Sequence, residues 1–283
     1  MSSEKVAFDP TRFKEQERAG FNLVANRYEE VMKLARPSAE TLLELAEINK
    51  PGLAVLDLAS GPGMVARMAS LKVGPTGQVF GIDIAEDALD VAKKRAEDEN
   101  LSNITFEAMD AENLTYSNNH FDRAVCSFGL MHFPSPEKAL SETLRVLKPG
   151  GRSAVSVWGI GEEAPFIQLA LTVITRNFPP PKVERPSMFR FGKPETLKEL
   201  FGKCGFINIT TAKVRVRITA DSTHDYWNKF LDAAGITAVA LAKQPPEVRA
   251  RLESDSIADL EAYRSGDIFD LTSSVMVAVG QKP

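Results

Sequence analysis

The segment Val55-Leu56-Asp57-Leu58-Ala59-Ser60-Gly61-Pro62-Gly63 decides the fold of this 283-residue chain. Apolar residues on both sides of one acid predict a buried strand that ends at Leu58. A loop of small residues follows, and residues 64–71 have the pattern of a helix. Small side chains let the backbone approach a ligand closely. This strand, loop and helix therefore predict a parallel α/β sheet with a ligand at the carboxyl end of its first strand.

The remaining sequence repeats this alternation and then departs from it. Further strands are predicted at 78–83, 104–108, 121–127 and 153–158, with helices at 87–99 and 136–147. Continuous apolar strands that alternate with helices are typical of parallel βαβ units with right-handed crossovers. Helices are also predicted at 13–34, 165–174 and 194–203. A further helix is predicted to begin at Ser38, whose side chain would cap it. A strand at 207–218, a polar helical insertion and a last strand at 269–279 complete the pattern.

Composition excludes several classes of function. The net charge of −4 and the pI of about 5.6 give no broad electrostatic attraction to nucleic acid or to anionic lipid. Two cysteines are too few for a disulfide framework or a zinc knuckle, so we expect no metal. The sequence has no secretory signal pattern and no apolar stretch of membrane-spanning length, and these features predict a cytoplasmic location.

Three acids follow successive predicted strands and point to the ligand. Gly61-x-Gly63-x-x-Ala66 also fits the dinucleotide fingerprint, so the glycines alone leave NAD(P) open. Asp57 would repel a pyrophosphate and attract an ammonium group. Asp83 lies about 20 residues beyond Gly63, a spacing that suits hydrogen bonds to ribose hydroxyls. Asp110 can accept a hydrogen bond from the amine of adenine. This set favours a cationic nucleoside without phosphate, such as S-adenosylmethionine (SAM).

These residues also carry a family resemblance. The chain resembles the class I SAM-dependent methyltransferases, and within them the ubiquinone/menaquinone-biosynthesis-like group that acts on small molecules. The loop matches the family's acidic-x-Gly-x-Gly-x-Gly motif, except that Ala59 replaces the first glycine. Residues 121–133 and 145–151 look like the fourth strand and the turn before the fifth. The resemblance implies a Rossmann-like α/β fold: a seven-stranded, mostly parallel sheet with helices on both faces, an antiparallel last strand beside the fifth, and a helical cap.

The resemblance implies a division of the chain and a set of cofactor-binding residues. We expect an N-terminal helical lid at 1–50, the SAM-binding core at 51–158, a cap segment at 159–192 and the rest of the core at 193–283, with a helical insertion at 221–265. The expected SAM contacts are Tyr28, Asp57, Ala59, Ser60, Gly61, Gly63, Asp83, Ile84, Asp110, Ala111, Ser127 and Phe128. The alternative interpretations are that Asp57 caps the next helix and that Asp110 caps a turn.

Catalytic and acceptor-binding residues are predicted from their position alone. Methyl transfer needs a base only where the acceptor must lose a proton. His132 follows the fourth strand on the ligand side and is the first candidate, while packing or a backbone hydrogen bond is its alternative role. His224 in the insertion is the second. Acceptor-binding residues are expected among the aromatic side chains of the lid, cap and insertion: Phe21, Trp158, Phe189, Phe191 and Trp227. Lys182, Arg185, Arg190 and Lys193 form either an anion site or a solvated basic face.

The predicted function is methyl transfer to an oxygen, nitrogen or carbon atom of a small-molecule acceptor by a monomer or homodimer. An NAD(P)-dependent oxidoreductase is the first alternative, although its Tyr-x-x-x-Lys pattern is missing because Tyr226 and Lys229 are one residue too close. A non-catalytic SAM-binding protein is the second. Nucleic-acid methyltransferases that act on amino groups carry Asn/Asp-Pro-Pro-aromatic after the fourth strand, where this chain has Ser127-Phe128-Gly129-Leu130.

Overall fold

A computed structural model describes residues 7–179, 183 and 185–283. Within these residues the strands are β1 (Ala54–Leu58), β2 (Gln78–Asp83), β3 (Ile104–Ala108), β4 (Phe121–Ser127), β5 (Leu147–Trp158), β6 (Ile207–Val216), β7 (Thr219–Ala220), β8 (Arg264–Ser265), β9 (Ile268–Asp270) and β10 (Ser273–Gln281). The helices are α1 (Pro10–Met32), α2 (Arg36–Leu45), α3 (Met64–Val73), α4 (Glu86–Asp98), α5 (Pro136–Val146), α6 (Pro165–Asn177), α7 (Pro194–Lys203), α8 (Thr223–Ala233), α9 (Ile236–Ala242), α10 (Pro246–Asp255) and α11 (Ile257–Glu261).

The main sheet has seven strands in the order β3-β2-β1-β4-β5-β10-β6. The pairs β1–β2, β2–β3, β1–β4 and β4–β5 are parallel, whereas β10 runs antiparallel to both of its neighbours. Eight of the nine residues of β10 are buried, as expected for a strand with helices on both faces. The predicted fold class is confirmed, including the antiparallel last strand beside the fifth.

Two local predictions are wrong. Ser38 is not a helix cap: it lies in the first turn of α2, where its hydroxyl donates to the Ala35 carbonyl at 2.7 Å. The predicted strand 269–279 is two strands, because the carboxylate of Asp270 accepts from the backbone N–H and the hydroxyl of Thr272 and bends the chain there. As a result β9 pairs with β7 and β8 in a small antiparallel sheet that the sequence did not indicate.

Helix α1 is attached to the core beside the carboxyl ends of the strands. Asp9 caps the helix by accepting from the backbone N–H groups of residues 11 and 12. Glu29, which is 4% exposed, pairs with Arg67 of α3 and Arg95 of α4, each at 2.7 Å. Arg67 also donates to the carbonyl of Pro62 at 3.0 Å. The buried ion pairs therefore connect α1 directly to the loop after β1.

Candidate active site

A cleft of about 670 Å³ opens where β1, β2, β3 and β4 end. It is lined by Lys14, Glu17, Phe21, Tyr28, Ala59, Gly61, Asp83, Ile84, Met109, Asp110, Ala111, Ser127, Phe128, Gly129, His132, Phe133 and Pro134. A hollow of about 410 Å³ adjoins it and adds Asp57 and Ser60 to the lining. Most of the predicted cofactor residues therefore meet around one continuous depression, and Gly63 caps the helix beside it.

The loop after β1 has the backbone conformation that its glycines suggest. Gly61 and Gly63 have φ angles of +50° and +82°, and Gly63 begins α3 without a side-chain cap. Gly63, not Asp57, therefore holds the N-cap position of α3, although the Ala66 N–H in the first turn of that helix faces the Asp57 carboxylate. Ala59, which replaces the motif's first glycine, also has a positive φ of +52°. A left-handed conformation is costly for alanine because its Cβ approaches the following carbonyl oxygen.

The strain at Ala59 leads to a first prediction. Ala59→Gly should raise the free energy of unfolding by about 1 kcal/mol, since glycine adopts positive φ at no steric cost. Chemical denaturation measures the change. Ala240→Gly is the control of opposite sign, because this exposed residue lies inside α9 and glycine should cost about 1 kcal/mol there. A loss of stability in Ala59→Gly would contradict the assigned strain.

Asp57 is a buried carboxylate without a neutralising partner. It is 1% exposed, and among the described residues neither of its oxygens makes a hydrogen bond of good geometry. Burial, and then the nearby charge of Asp83, raise its pKa well above the ordinary value, although the nearby Ala66 N–H acts to lower its pKa. A buried carboxylate in this state favours a cation placed against it. The adjoining hollow is where such a cation would lie.

Asp83 ends β2 and supports the glycine loop from the neighbouring strand. One carboxylate oxygen accepts from the Gly61 N–H at 2.9 Å, and the other accepts from the Ala85 N–H at 2.8 Å. Burial raises the pKa of Asp83, and these backbone donors oppose that shift. Each oxygen keeps a free lone pair, so the carboxylate can still accept two further hydrogen bonds.

Asp110 is paired with a lysine that sequence analysis missed. Its carboxylate accepts from the Glu112 N–H, so it does cap a turn, and also from Lys14 Nζ at 2.6 Å. Lys14 binds Glu112 at the same distance. Although burial lowers the pKa of Lys14, the hydrogen bonds to Asp110 and Glu112 raise it overall. The amino-terminal end of α1 is thus attached to the loop after β3.

Two aromatic side chains form the walls that the cleft and the hollow share. Tyr28 is half-buried in the cleft wall, and the burial of its hydroxyl together with the charge of Asp83 raises the pKa of that hydroxyl. The phenol is therefore neutral at physiological pH. Phe128 has a φ of +55° and its ring packs at 4.7 Å from Trp158. A strained backbone of this kind is found often at functional sites.

His132 faces the cleft beside a second residue that the sequence did not reveal. Its Nδ1 lies 3.1 Å from a carboxylate oxygen of Glu17, and the Phe21 ring meets the imidazole edge-to-face at 5.2 Å. Arg190 donates to the carbonyls of Leu130 and Phe133, which flank this histidine. The imidazole is therefore fixed between α1 and a backbone segment that an arginine holds in place.

Several predicted site residues lie elsewhere. His224 is exposed and pairs with Glu253 at 3.2 Å, away from the cleft. Trp227 is fully buried in the insertion, where its indole donates to Ser256. Trp158, Phe189 and Phe191 do not line the cleft either. Lys182 lies outside the described residues, Arg185 donates to Gln16, and Arg190 binds backbone carbonyls instead of an anion.

Comparison with known proteins identifies the family. The profile of the family described as "Methyltransferase domain" matches residues 49–176. The ubiquinone/menaquinone biosynthesis C-methyltransferase UbiE of Pseudomonas fluorescens (strain Pf0-1) is 33% identical over 217 residues, which are 71% of this chain and 84% of that protein. The chain belongs to the class I SAM-dependent methyltransferases of the ubiquinone-biosynthesis type. The predicted family, enzyme class and cofactor are confirmed.

Solved structures of low sequence identity share the fold of this methyltransferase. The YcgJ protein from Bacillus subtilis matches with a TM-score of 0.60 at 18% identity, covering 87% of this chain and 98% of that protein. Phosphoethanolamine N-methyltransferase 2 of Haemonchus contortus, in complex with phosphomonomethylethanolamine and S-adenosylhomocysteine, matches with a TM-score of 0.56 at 22% identity. That match covers 87% of this chain and 52% of the nematode enzyme.

The side chains of this methyltransferase fit its cofactor. SAM carries an ammonium group and a sulfonium and has no phosphate, so the unpaired carboxylate of Asp57 suits it and would disfavour a pyrophosphate. The family assignment thus decides between the two cofactor classes that the glycine motif left open. Among the residues described, no helix is both long and apolar enough to span a membrane.

Proposed function

We propose that this methyltransferase methylates a small, apolar ring compound that bears a hydroxyl group, at a ring carbon next to that hydroxyl. The observation that carries this proposal is the imidazole of His132, which lies 3.1 Å from Glu17 at the wall of the cleft, beyond the end of β4 at Ser127. The similar enzymes are named C-methyltransferases of ubiquinone and menaquinone biosynthesis, and this name supports a quinol-type acceptor.

We further propose a role for each cofactor residue. Asp83 accepts from the ribose hydroxyls, Asp57 pairs with the ammonium group, and Asp110 and Ala111 contact adenine. Gly61 and Gly63 leave room for the methionine part, while Ser127 and Phe128 lie near the sulfonium. Helix α1 acts as a lid, since Tyr28 and Lys14 reach the cleft from it.

The protein's share of the reaction is alignment and proton removal. SAM supplies a methyl group on a positively charged sulfur, which departs as a neutral thioether and needs no acid. Holding the acceptor in line and excluding water can contribute about 7–11 kcal/mol in favourable cases. A phenolic ring becomes nucleophilic at carbon when its hydroxyl loses a proton, and His132 is placed to take it.

His132→Gln should lower turnover about a hundredfold, because a positioned base contributes typically about 10²–10⁴ in rate. The measurement is transfer of a labelled methyl group from SAM to a panel of hydroquinones, phenols and amines, with the product's methyl position found by NMR. His224→Gln is the matched control and should keep full activity, since that imidazole is exposed on the insertion.

Different products would overturn different parts of this proposal. Methylation only at nitrogen or oxygen would exclude the carbon acceptor. Transfer that His132→Gln leaves unchanged would remove the base. Neither result would change the assignment of SAM as the cofactor, because calorimetry measures SAM binding independently of methyl transfer.

A further inference from the structure

A second cavity lies behind the cleft and is mostly apolar. Together with the solvent at its mouth it takes up about 690 Å³, and it is lined by α1, α6, the α8–α9 region and residues 185–188. Its apolar lining includes Phe13, Met131, Ile167, Leu171, Met188 and Phe230. A mostly apolar pocket with a few polar groups at one end suits a small apolar ligand. None of the predicted cofactor residues lines it.

Glu17 and His132 line both cavities and therefore form their junction. Their side chains are 7% and 17% exposed. Although His132 Nδ1 is 3.1 Å away, Glu17 Oε2 has no hydrogen bond of good geometry within the described part of the chain. The separation of 3.1 Å nevertheless lies within hydrogen-bond distance, so a small rotation of either side chain would pair the two groups. The polar groups thus stand where the two cavities meet, and the apolar residues stand behind them.

We propose that the second cavity holds the apolar body of the methyl acceptor, and that Glu17 positions His132 at its reactive end. This inference rests on the proposed function. A carboxylate beside Nδ1 keeps the proton on that nitrogen and leaves Nε2 as the basic atom. The acceptor's hydroxyl then lies at the junction, and its carbon faces the cofactor cleft.

Proton removal and methyl transfer follow one another at the junction. The hydroxyl proton moves to Nε2 of His132, and the ring's electron pair forms the new carbon–methyl bond. The sulfur–methyl bond breaks, and its electron pair stays on sulfur, which becomes neutral. The proton on the methylated ring carbon then passes to solvent while the imidazolium of His132 returns its proton to the ring oxygen, which restores both the aromatic ring and the neutral imidazole. Glu17 stabilises the imidazolium that forms, as a neighbouring carboxylate does.

Filling the cavity tests where the acceptor binds. The probe is 2-naphthol, an apolar ring compound with one hydroxyl, titrated by its fluorescence into protein saturated with S-adenosylhomocysteine. Leu171→Trp should weaken 2-naphthol binding at least tenfold and leave the affinity for S-adenosylhomocysteine within twofold. Leu71→Trp is the matched control, because Leu71 on α3 is 69% exposed and lines neither this cavity nor the cleft. Ala234→Leu fills the same cavity with less added volume and should weaken 2-naphthol binding in the same direction.

The outcomes separate this inference from the proposed function. If wild type fails to bind 2-naphthol, or if both filling variants bind it as tightly as wild type does, the cavity is not the acceptor site. Failure to bind S-adenosylhomocysteine would instead contradict the cofactor site.

The tautomer of His132 tests Glu17. The chain has three histidines, so ¹⁵N spectra of the imidazoles are simple to assign with His132→Gln. We expect His132 to carry its proton on Nδ1 in wild type and to lose this preference in Glu17→Gln, while S-adenosylhomocysteine binds both proteins equally. A proton on Nε2 in wild type would overturn the positioning role.

Discussion

Asp83→Ala should weaken binding of S-adenosylhomocysteine about a thousandfold, as measured by calorimetry. In the proposed role the carboxylate accepts hydrogen bonds from two ribose hydroxyls, and hydrogen bonds to a charged group contribute about 1.5–3 kcal/mol each. Two such bonds amount to about 4 kcal/mol, and each 1.4 kcal/mol changes affinity about tenfold. The circular dichroism spectrum should be unchanged, because the sheet around β2 keeps its backbone pairing.

Controls separate the ribose contacts from the support of the glycine loop. Asp90→Ala removes an exposed carboxylate of α4 and should leave binding unchanged. Asp83→Asn keeps the size of the side chain and one acceptor oxygen, so its loss should lie between wild type and Asp83→Ala. If Asp83→Ala binds S-adenosylhomocysteine as wild type does, Asp83 is not in the cofactor site.

The sequence predicted which acids meet around the glycine loop because the signals for them are local. A strand that ends in an acid and a small-residue loop constrain each other over nine residues, and parallel strands bring their carboxyl ends to one edge. Asp57, Asp83 and Asp110 therefore gather near the loop even though they are far apart in sequence. The position of each acid depends only on the strand at whose carboxyl end it lies.

The residues that α1 contributes to the cleft were predicted less well because their positions depend on how helices pack. Lys14, Glu17, Phe21 and Tyr28 lie at helical spacing on one face of α1 and line the cleft together. Only the two aromatic residues were recognised. The polar residues at the same spacing were the available signal, since a charged residue on a helix face that turns inward needs a partner.

In the insertion, the sequence analysis assigned residues to the site that the structure places elsewhere. Trp227 and His224 were assigned to the site because they are near each other in a segment that interrupts the sheet. The indole instead fills the insertion's own interior beside Tyr226 and Phe230, and the imidazole faces solvent. A sequence pattern shows that a helix has an apolar face, but it does not show which neighbour covers that face.

The buried acid Asp57 should make the ligand-free protein less stable as pH rises. Its pKa in the folded state is raised well above the ordinary 3.8 by burial and by Asp83. Between 3.8 and the raised pKa, the folded state holds a proton that the unfolded state has lost. The free energy of unfolding therefore falls by about 1.4 kcal/mol per pH unit for this group across that window. The contribution is complete below pH 3.8 and is lost as pH rises through the raised pKa.

Asp57→Asn removes this titrating group and should flatten the pH dependence by that slope across the window. Chemical denaturation at several pH values between 4 and 8 measures it, with the exposed Asp90→Asn as the control that leaves the curve unchanged. Wild type saturated with S-adenosylhomocysteine should also lose the slope, because the ligand's ammonium group stabilises the ionised carboxylate. Asp57→Asn should bind that ligand more weakly than wild type. Parallel pH curves for wild type and Asp57→Asn would show that folding does not raise the pKa of this carboxylate. The proposed pairing of Asp57 with the ammonium group would then have no basis.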